Sequence, residues 1–161
     1  MRNILFFPNR LGQKLTGFSH TCNILYKNIT NPKKNIKLYN NQDINLYNLH
    51  NINFNLHTPK IIIGGDHSLS IATISSSLKL YPNLKVLWID AHPDINTSIS
   101  SVTKNMHGMP LGFLTKLDNR QFLFDIPKLD FDNIMYIGIR DIDKYENYII
   151  NKQNISVLKC E

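Results

Sequence analysis

Two short runs of aliphatic residues, each ending at a turn residue, constrain the fold of this chain most strongly. Residues 61–63 (III) end at a pair of glycines, and residues 86–89 (VLWI) end at Asp90. Runs bounded in this way are typical of β-strands that are buried on both faces. Residues 69–81 carry apolar side chains at helical spacing, and Ser68 is the predicted N-cap. The pattern predicts a βαβ unit whose two strands are parallel neighbours.

Four side chains suited to metal binding follow the carboxyl ends of these two strands. His67 follows the first strand, and Asp90, His92 and Asp94 follow the second. Open α/β sheets build their sites at this edge, and spacing by two places the last three side chains on one face of an extended segment. Imidazole and carboxylate together suit manganese, zinc or iron, and Asp90 could bridge two ions. The alternative is that each is an ordinary loop residue, an Asx-turn aspartate or a satisfied polar histidine.

The length and composition of the chain fit one globular domain. The 161 residues are long enough to form a core, and 42% of them are hydrophobic. No run of 18 apolar residues occurs, and the apolar run near the N-terminus is too short for a secretory signal, so we expect a cytoplasmic protein without a membrane partner. Two distant cysteines imply no disulfide scaffold. The net charge of +6 is scattered rather than clustered, so no nucleic-acid partner is expected.

Further helices and strands follow from shorter patterns. A helix over residues 20–29 is expected to turn Ile24 and Leu25 inward, and His50 and His57 are interpreted as solvent-facing or structural. Residues 46–52 have a helix-like spacing, a helix is predicted to begin within residues 111–117, and residues 148–150 are expected to continue a helix whose first turn holds Asp143 and Glu146. The predicted additional strands are residues 4–7, 36–39, 134–139 and 155–158.

Three further features could belong to a binding site. Residues 97–105 form a polar loop, which could grip a ligand or simply be solvated. His107 follows in an apolar setting, where an imidazole could shuttle protons or be structural. Asp143 and Glu146 are three residues apart and share one face of a first helical turn. Their alternative interpretation is that of acids that complement the positive end of a helix.

The motifs themselves carry a resemblance to a known family. GGDHS, WIDAHPDINT and NMHGMP are similar to the arginase branch of the ureohydrolases, manganese enzymes that cleave guanidino compounds to urea. The segment IGIRDIDKYE is similar to the arginase pattern IGLRD-x-D-x-x-E. The resemblance runs from about residue 61 to 155. It implies a three-layer α/β/α fold with a mainly parallel sheet, and residues 1–161 would form a single incomplete domain, truncated after roughly half of the family's fold.

The resemblance also implies the reaction and the metal ligands. The reaction would be hydrolysis of L-arginine to L-ornithine and urea at two Mn²⁺ ions. One ion would take His67, Asp90 and Asp94, and the other would take Asp90 and His92. Asp94 would also hold the attacking hydroxide, and His107 would deliver a proton to the departing amine.

The substrate contacts that the resemblance implies involve five residues. Asn96 and Thr103 would meet the α-carboxylate of L-arginine, and Ser101 would assist through water. Asp143 would bind the α-ammonium group, with Glu146 close behind.

One part of the arginase pattern is missing from the sequence. Arginases continue with an S-x-D-x-D-x-x-D-P motif and a later glutamate, which this chain lacks. We therefore expect weak metal binding and little turnover from the chain alone. The alternative functions are an inactive arginase-like fragment that binds metal weakly, and a module that pairs with a missing C-terminal half through an uncovered sheet edge. A homo-oligomer is also expected, because arginases are often trimers.

Overall fold

The computed structural model describes residues 3–8, 18–29, 35–39 and 45–159. Every strand pairing in these segments is parallel, and helices connect the strands, which confirms the predicted α/β class. The elements in chain order are β1 (Asn3–Phe7), α1 (Phe18–Asn28), β2 (Asn35–Leu38), α2 (Leu46–Asn55), β3 (Lys60–Gly64), α3 (Leu69–Leu80), β4 (Val86–Ile89), α4 (Pro110–Leu114), β5 (Ile134–Ile137), α5 (Lys144–Lys152) and β6 (Ser156–Leu158).

The six described strands form two separate three-stranded sheets, ordered β2-β1-β3 and β4-β5-β6. The prediction that the two strands of the βαβ unit, β3 and β4, are parallel neighbours is therefore wrong. β3 pairs with β1, with Ile4 opposite Ile61, and β4 pairs with β5, with Trp88 opposite Tyr136. Helix α3 thus carries the chain from one sheet to the other, whereas the crossover rule applies to strands within a single sheet.

The prediction that β3 and β4 are buried on both faces is also wrong. In β4, Val86 and Trp88 are buried, whereas Leu87 and Ile89 are 61% and 74% exposed. Ile61 of β3 is exposed as well. Successive side chains point to opposite faces of a strand, and only one face of β4 packs on the core of the described chain. An apolar run alone does not reveal whether a second face is covered.

Helix α1 packs on β1 through a stripe different from the expected one. Ile24 and Leu25 are exposed rather than turned inward. Cys22 is buried instead, and Tyr26 and Ile29 pack on the same small cluster. Positions spaced by four and three residues lie on one helical face, which explains why this stripe makes the contact.

The main core joins the two sheets. It contains Leu5 of β1, Ile71 of α3, and both Trp88 and Tyr136 of the second sheet. His50 of α2 is buried at its edge, and its ring stacks on Phe124 with centroids 4.6 Å apart. This shared core holds the carboxyl ends of β3 and β4 close together, although the strands are not paired.

None of the helices in the described segments is long and apolar enough to cross a membrane.

Candidate metal centre

The turn between β3 and α3 places His67 at the edge of the sheets. The Asp66 side chain accepts a hydrogen bond of 2.8 Å from the Ser68 N–H, and the Ser70 hydroxyl donates to the His67 carbonyl at 2.7 Å. Ser68 occupies the N-cap position, but its side chain makes no capping bond. The His67 ring stacks on Trp88 of β4, with centroids 4.4 Å apart. The imidazole is therefore held against the end of the neighbouring sheet.

The loop after β4 continues the hydrogen bonding of its strand before it turns. The Asp90 N–H donates to the Ile137 carbonyl at 3.2 Å, and Asp90 Oδ1 accepts the His92 N–H at 3.0 Å, the pattern of an Asx-turn. Asp94 has a positive φ of 49°, which costs a non-glycine residue on the order of 1 kcal/mol. One of the four described non-glycine residues with a positive φ is therefore a predicted ligand.

Three of the four predicted ligands meet at one point. His67 Nδ1 lies 2.7 Å from Asp94 Oδ2 and 3.2 Å from Asp90 Oδ2. One ligand atom from each residue lies within 4.8 Å of the others. Adjacent ligands of an ion with bonds of about 2.1 Å are separated by about 3 Å, so this set fits a single divalent cation.

His92 lies beside this cluster rather than within it. Its Nδ1 is 3.5 Å from Asp90 Oδ1, and its Nε2 is 3.3 Å from Asp141 Oδ2. Asp90 therefore faces His67 with one oxygen and His92 with the other, the arrangement required of a bridging carboxylate. Asp141 was not among the predicted site residues, although its position just after β5 was a signal for it.

The electrostatics of the site favour a positive charge. Burial lowers the pKa of His67, but the hydrogen bond and charge of Asp94, followed by the charge of Asp90, outweigh that effect and raise the pKa above its ordinary value. The same two carboxylates would also attract a cation that binds between these groups.

All of the predicted site residues line one cavity of about 610 Å³. Among the described residues, the lining of the cavity has six carboxylates and no lysine or arginine. A chain with a net charge of +6 thus has a locally acidic cavity. The ten predicted residues on the lining are His67, Asp90, His92, Asp94, Asn96, Ser101, Thr103, His107, Asp143 and Glu146; Gly65, Asp66, Val102, Gly108 and Asp141 complete it.

The two acids before and within α5 are structural partners of each other. Asp143 Oδ1 accepts the Glu146 N–H at 2.9 Å, and a Glu146 oxygen accepts the Asp143 N–H at 3.3 Å, a complete capping box. The other oxygen of Glu146 accepts the Ile95 N–H at 3.3 Å. Burial, assisted by the charges of Asp143 and Asp94, raises the pKa of Glu146 to about 7.

The polar loop carries the remaining predicted contacts. Asn96 donates to Asp143 Oδ2 at 2.6 Å and accepts the Ser100 hydroxyl at 2.7 Å. Ser101 accepts the Lys104 N–H at 3.1 Å, and Thr103 is exposed. The loop therefore has internal hydrogen bonds of its own, and its side chains border the cavity from one side.

The parallel α/β fold and the histidine–carboxylate cluster define a protein with a candidate divalent-metal centre at the ends of its strands. The chain belongs to the arginase family, because the model of that family matches residues 20–161. This confirms the resemblance inferred from the motifs and extends it towards the N-terminus.

Individual relatives agree with this assignment. Arginase-1 of Sus scrofa is 39% identical over 102 residues, covering 59% of this chain and 31% of the relative. Arginase-1 of Homo sapiens is 41% identical over 101 residues, with the same two shares. The structure is similar to that of arginase from Bacillus subtilis, with a TM-score of 0.85, 26% identity, and coverage of 98% of this chain and 62% of the other.

A second solved structure has comparable similarity. It is that of Entamoeba histolytica arginase in complex with L-ornithine, with a TM-score of 0.76, 28% identity, and coverage of 98% of this chain and 63% of the other. The alignments thus span about a third of the curated relatives and about three fifths of the solved chains.

Proposed function

We propose that this chain carries the metal centre of a manganese-dependent hydrolase that converts L-arginine to L-ornithine and urea. The observation that carries the proposal is the convergence of His67, Asp90 and Asp94 on one point inside an acidic cavity. Membership of the arginase family supports the reaction class.

The donor set determines which residues would hold the metal. Carboxylate and imidazole ligands suit Mn²⁺. His67, Asp90 and Asp94 would hold one ion, and Asp90 and His92 would contribute to a second. A bound divalent metal lowers the pKa of water and so supplies a nucleophile near neutral pH.

Asp94 and His107 are the proposed catalytic residues. Asp94 Oδ2 points at His67, whereas Asp94 Oδ1 lies towards Gly108, the neighbour of His107 in the sequence. Asp94 would hold the attacking group with the oxygen that does not contact His67, and His107 would protonate the departing amine.

The charges of the cavity suit a cationic amino acid. Six carboxylates line it, so both the guanidinium and the α-ammonium group of L-arginine would be attracted there. We assign the α-ammonium group to Asp143 and Glu146, and the α-carboxylate to Asn96, Ser101 and Thr103. The complex of the Entamoeba histolytica relative with L-ornithine supports an amino-acid ligand.

Metal binding is the first test. Calorimetric titration of the metal-free chain with MnCl₂ is expected to show binding that Asp90→Asn weakens by about 100-fold or more, because that carboxylate faces both histidines. Asp132→Asn, which changes an exposed carboxylate outside the cavity, is the matched control. Equal affinities of the wild type and Asp90→Asn would contradict the assignment.

Urea release tests the reaction. With saturating Mn²⁺ and L-arginine, His107→Asn is expected to lower the rate by about 100-fold while leaving Mn²⁺ affinity unchanged, since a positioned acid contributes about that factor. Wild-type protein that binds Mn²⁺ but releases no urea would refute the catalytic proposal and leave the metal site intact.

The separation of the two sheets favours a second candidate function. Among the described residues, β3 and β4 are each hydrogen bonded to a strand on one side only. The candidate ligands follow the carboxyl ends of these same two strands. We propose as the alternative that the chain is a metal-binding module that becomes active only when a second polypeptide adds strands to these edges.

Co-expression distinguishes the two candidates. The partner would be the segment of Bacillus subtilis arginase that has no counterpart in this chain. Co-purification with that segment, together with urea release that neither piece shows alone, would support the second candidate. Full activity of the isolated chain would exclude it.

A further inference from the structure

The backbone around Asp94 is anchored from three separate elements. Two successive peptide groups, 93–94 and 94–95, have hydrogen-bonding partners outside the loop, and three bonds hold them. The Tyr136 hydroxyl of β5 donates to the Pro93 carbonyl at 3.0 Å, the Leu111 N–H of α4 donates to the Asp94 carbonyl at 3.0 Å, and the Ile95 N–H donates to Glu146 Oε1 of α5 at 3.3 Å.

Tyr136 supplies the only side-chain hydroxyl among these three anchors. It is completely buried in the middle of β5, next to Trp88 of β4. Burial, with the negative charges of Glu146 and Asp94, raises the pKa of its phenol well above the ordinary value. The group therefore remains a neutral donor, and its acceptor is a backbone carbonyl rather than water.

The position of that carbonyl controls the direction of the Asp94 side chain. The Pro93 carbonyl and the Asp94 nitrogen belong to one planar peptide group, so fixing the oxygen also fixes that plane. With the next peptide group held by Leu111 and Glu146, both planes that flank the Asp94 Cα are restrained. The ring of Pro93 also fixes the φ angle of that residue. Asp94 is held at a positive φ of 49°, which the residue would not favour without such restraint.

We infer that Tyr136 is a positioning residue for the metal centre: its hydroxyl holds the Pro93 carbonyl and thereby aims the Asp94 carboxylate at the point shared with His67 and Asp90. The inference rests on the proposed metal-binding function. Tyr136 itself does not line the cavity and would act only through Asp94.

A purely structural role makes a different prediction. If the hydroxyl only satisfies a buried carbonyl, its loss lowers the stability of the fold without altering the metal centre of folded molecules. Tyr136→Phe removes the hydroxyl and keeps the ring. Ile71→Val, a small truncation in the core helix α3, is the control for a general loss of stability.

Two measurements on these variants test the inference, both at temperatures where each is fully folded. Calorimetric titration with MnCl₂ is expected to show about 10-fold weaker binding in Tyr136→Phe and unchanged binding in Ile71→Val. Hydrogen exchange of the metal-free protein is expected to accelerate about 10-fold at the amides of Ile95 and Leu111 in Tyr136→Phe alone, because a released loop exposes them.

A double variant shows whether Tyr136 acts through Asp94. Once Asp94→Asn has weakened the metal site, adding Tyr136→Phe is expected to change Mn²⁺ affinity less than twofold. A further 10-fold loss would overturn the inference, as it would show a route that does not involve Asp94.

The remaining outcomes separate this inference from the proposed function. Mn²⁺ affinity of Tyr136→Phe equal to that of the wild type would overturn the positioning role while leaving the metal site standing. A wild type that binds no Mn²⁺ would overturn the metal site. In that case accelerated exchange at the two amides would still support control of the loop by Tyr136, and unchanged exchange would overturn it.

Discussion

Glu146 is a buried acid that both stabilises helix α5 and contacts the loop of the candidate metal site. The residue is only 6% exposed, and its carboxylate completes the capping box of α5 and accepts the N–H of the residue after Asp94. These contacts explain why a buried acid is tolerated, because both of its oxygens accept hydrogen bonds. The same burial makes the ionised form costly near neutral pH.

The raised pKa of Glu146 predicts a pH-dependent stability. The pKa is about 7 in the folded chain against an ordinary value of 4.5, so folded molecules hold a proton that unfolded ones release. This contribution to stability is complete below pH 4.5 and is lost as the pH rises through 7, and it amounts to about 3 kcal/mol at most. Urea denaturation of the metal-free chain from pH 4.5 to 8 measures it.

Glu146→Gln isolates the effect, because a carboxamide does not titrate. The unfolding free energy of this variant is expected to fall less steeply over the range than that of the wild type. Asp132→Asn, which changes an exposed carboxylate, is expected to retain the wild-type slope. Identical slopes for all three proteins would contradict the burial of a protonated Glu146.

At the scale of elements, helix α4 packs directly against the backbone of Ile95 and Asn96, just before the polar loop. A side chain at Gly112 would collide with the backbone carbonyl of Asn96, which cannot move without displacing the loop. Gly112→Ala is therefore expected to lower the free energy of unfolding by about 1–3 kcal/mol, the usual cost of overpacking. Gly108→Ala is the control, since the methyl group added there would lie 3.9 Å from its nearest neighbour, Asp94 Oδ1, which is an ordinary contact. Equal stability of the two variants, measured by thermal denaturation, would contradict this packing.

Local patterns in the sequence predicted the existence of most elements, but not how the strands pair. The strand and helix around His67 were recognisable because their periodicity is local. Pairing of β3 with β1 joins residues more than fifty positions apart, such as Ile4 and Ile61, and no local pattern records that choice. Ile24 and Leu25 were wrongly predicted to face inward for the same reason, since the buried face of α1 depends on which strand the helix meets.

For the candidate site, the sequence predicted which residues take part but not all of the contacts that position them. The motifs identified the residue types, and the positions of Asp90 and His67 after strands indicated that they would meet. The sequence could not reveal that Glu146 receives the Ile95 N–H, or that Tyr136 reaches the Pro93 carbonyl. Both contacts join elements that are distant in the chain, and they depend on how the second sheet packs.

At the scale of the whole molecule, the sheet β4-β5-β6 has an apolar outer face. Leu87 and Ile89 are exposed there, with Leu158 of β6 alongside. Exposed apolar surface of this kind favours association. We expect the average mass in sedimentation velocity to rise with protein concentration, and Leu87→Lys to lower it towards that of the monomer.

Leu123→Lys is the matched control for this prediction. Leu123 is 82% exposed but lies in a loop outside the strands, so its replacement is expected to leave association unchanged. A mass that is independent of concentration in the wild type would contradict the role of the outer face.

The stacking of His67 on Trp88 makes the candidate site visible to spectroscopy. Trp88 is the only tryptophan in the sequence, so indole fluorescence from the whole chain arises within van der Waals contact of a candidate ligand. Mn²⁺ is a paramagnetic quencher, and we expect its arrival to dim that emission in step with occupancy. The chain therefore contains an intrinsic optical probe of its own metal loading, with no label required.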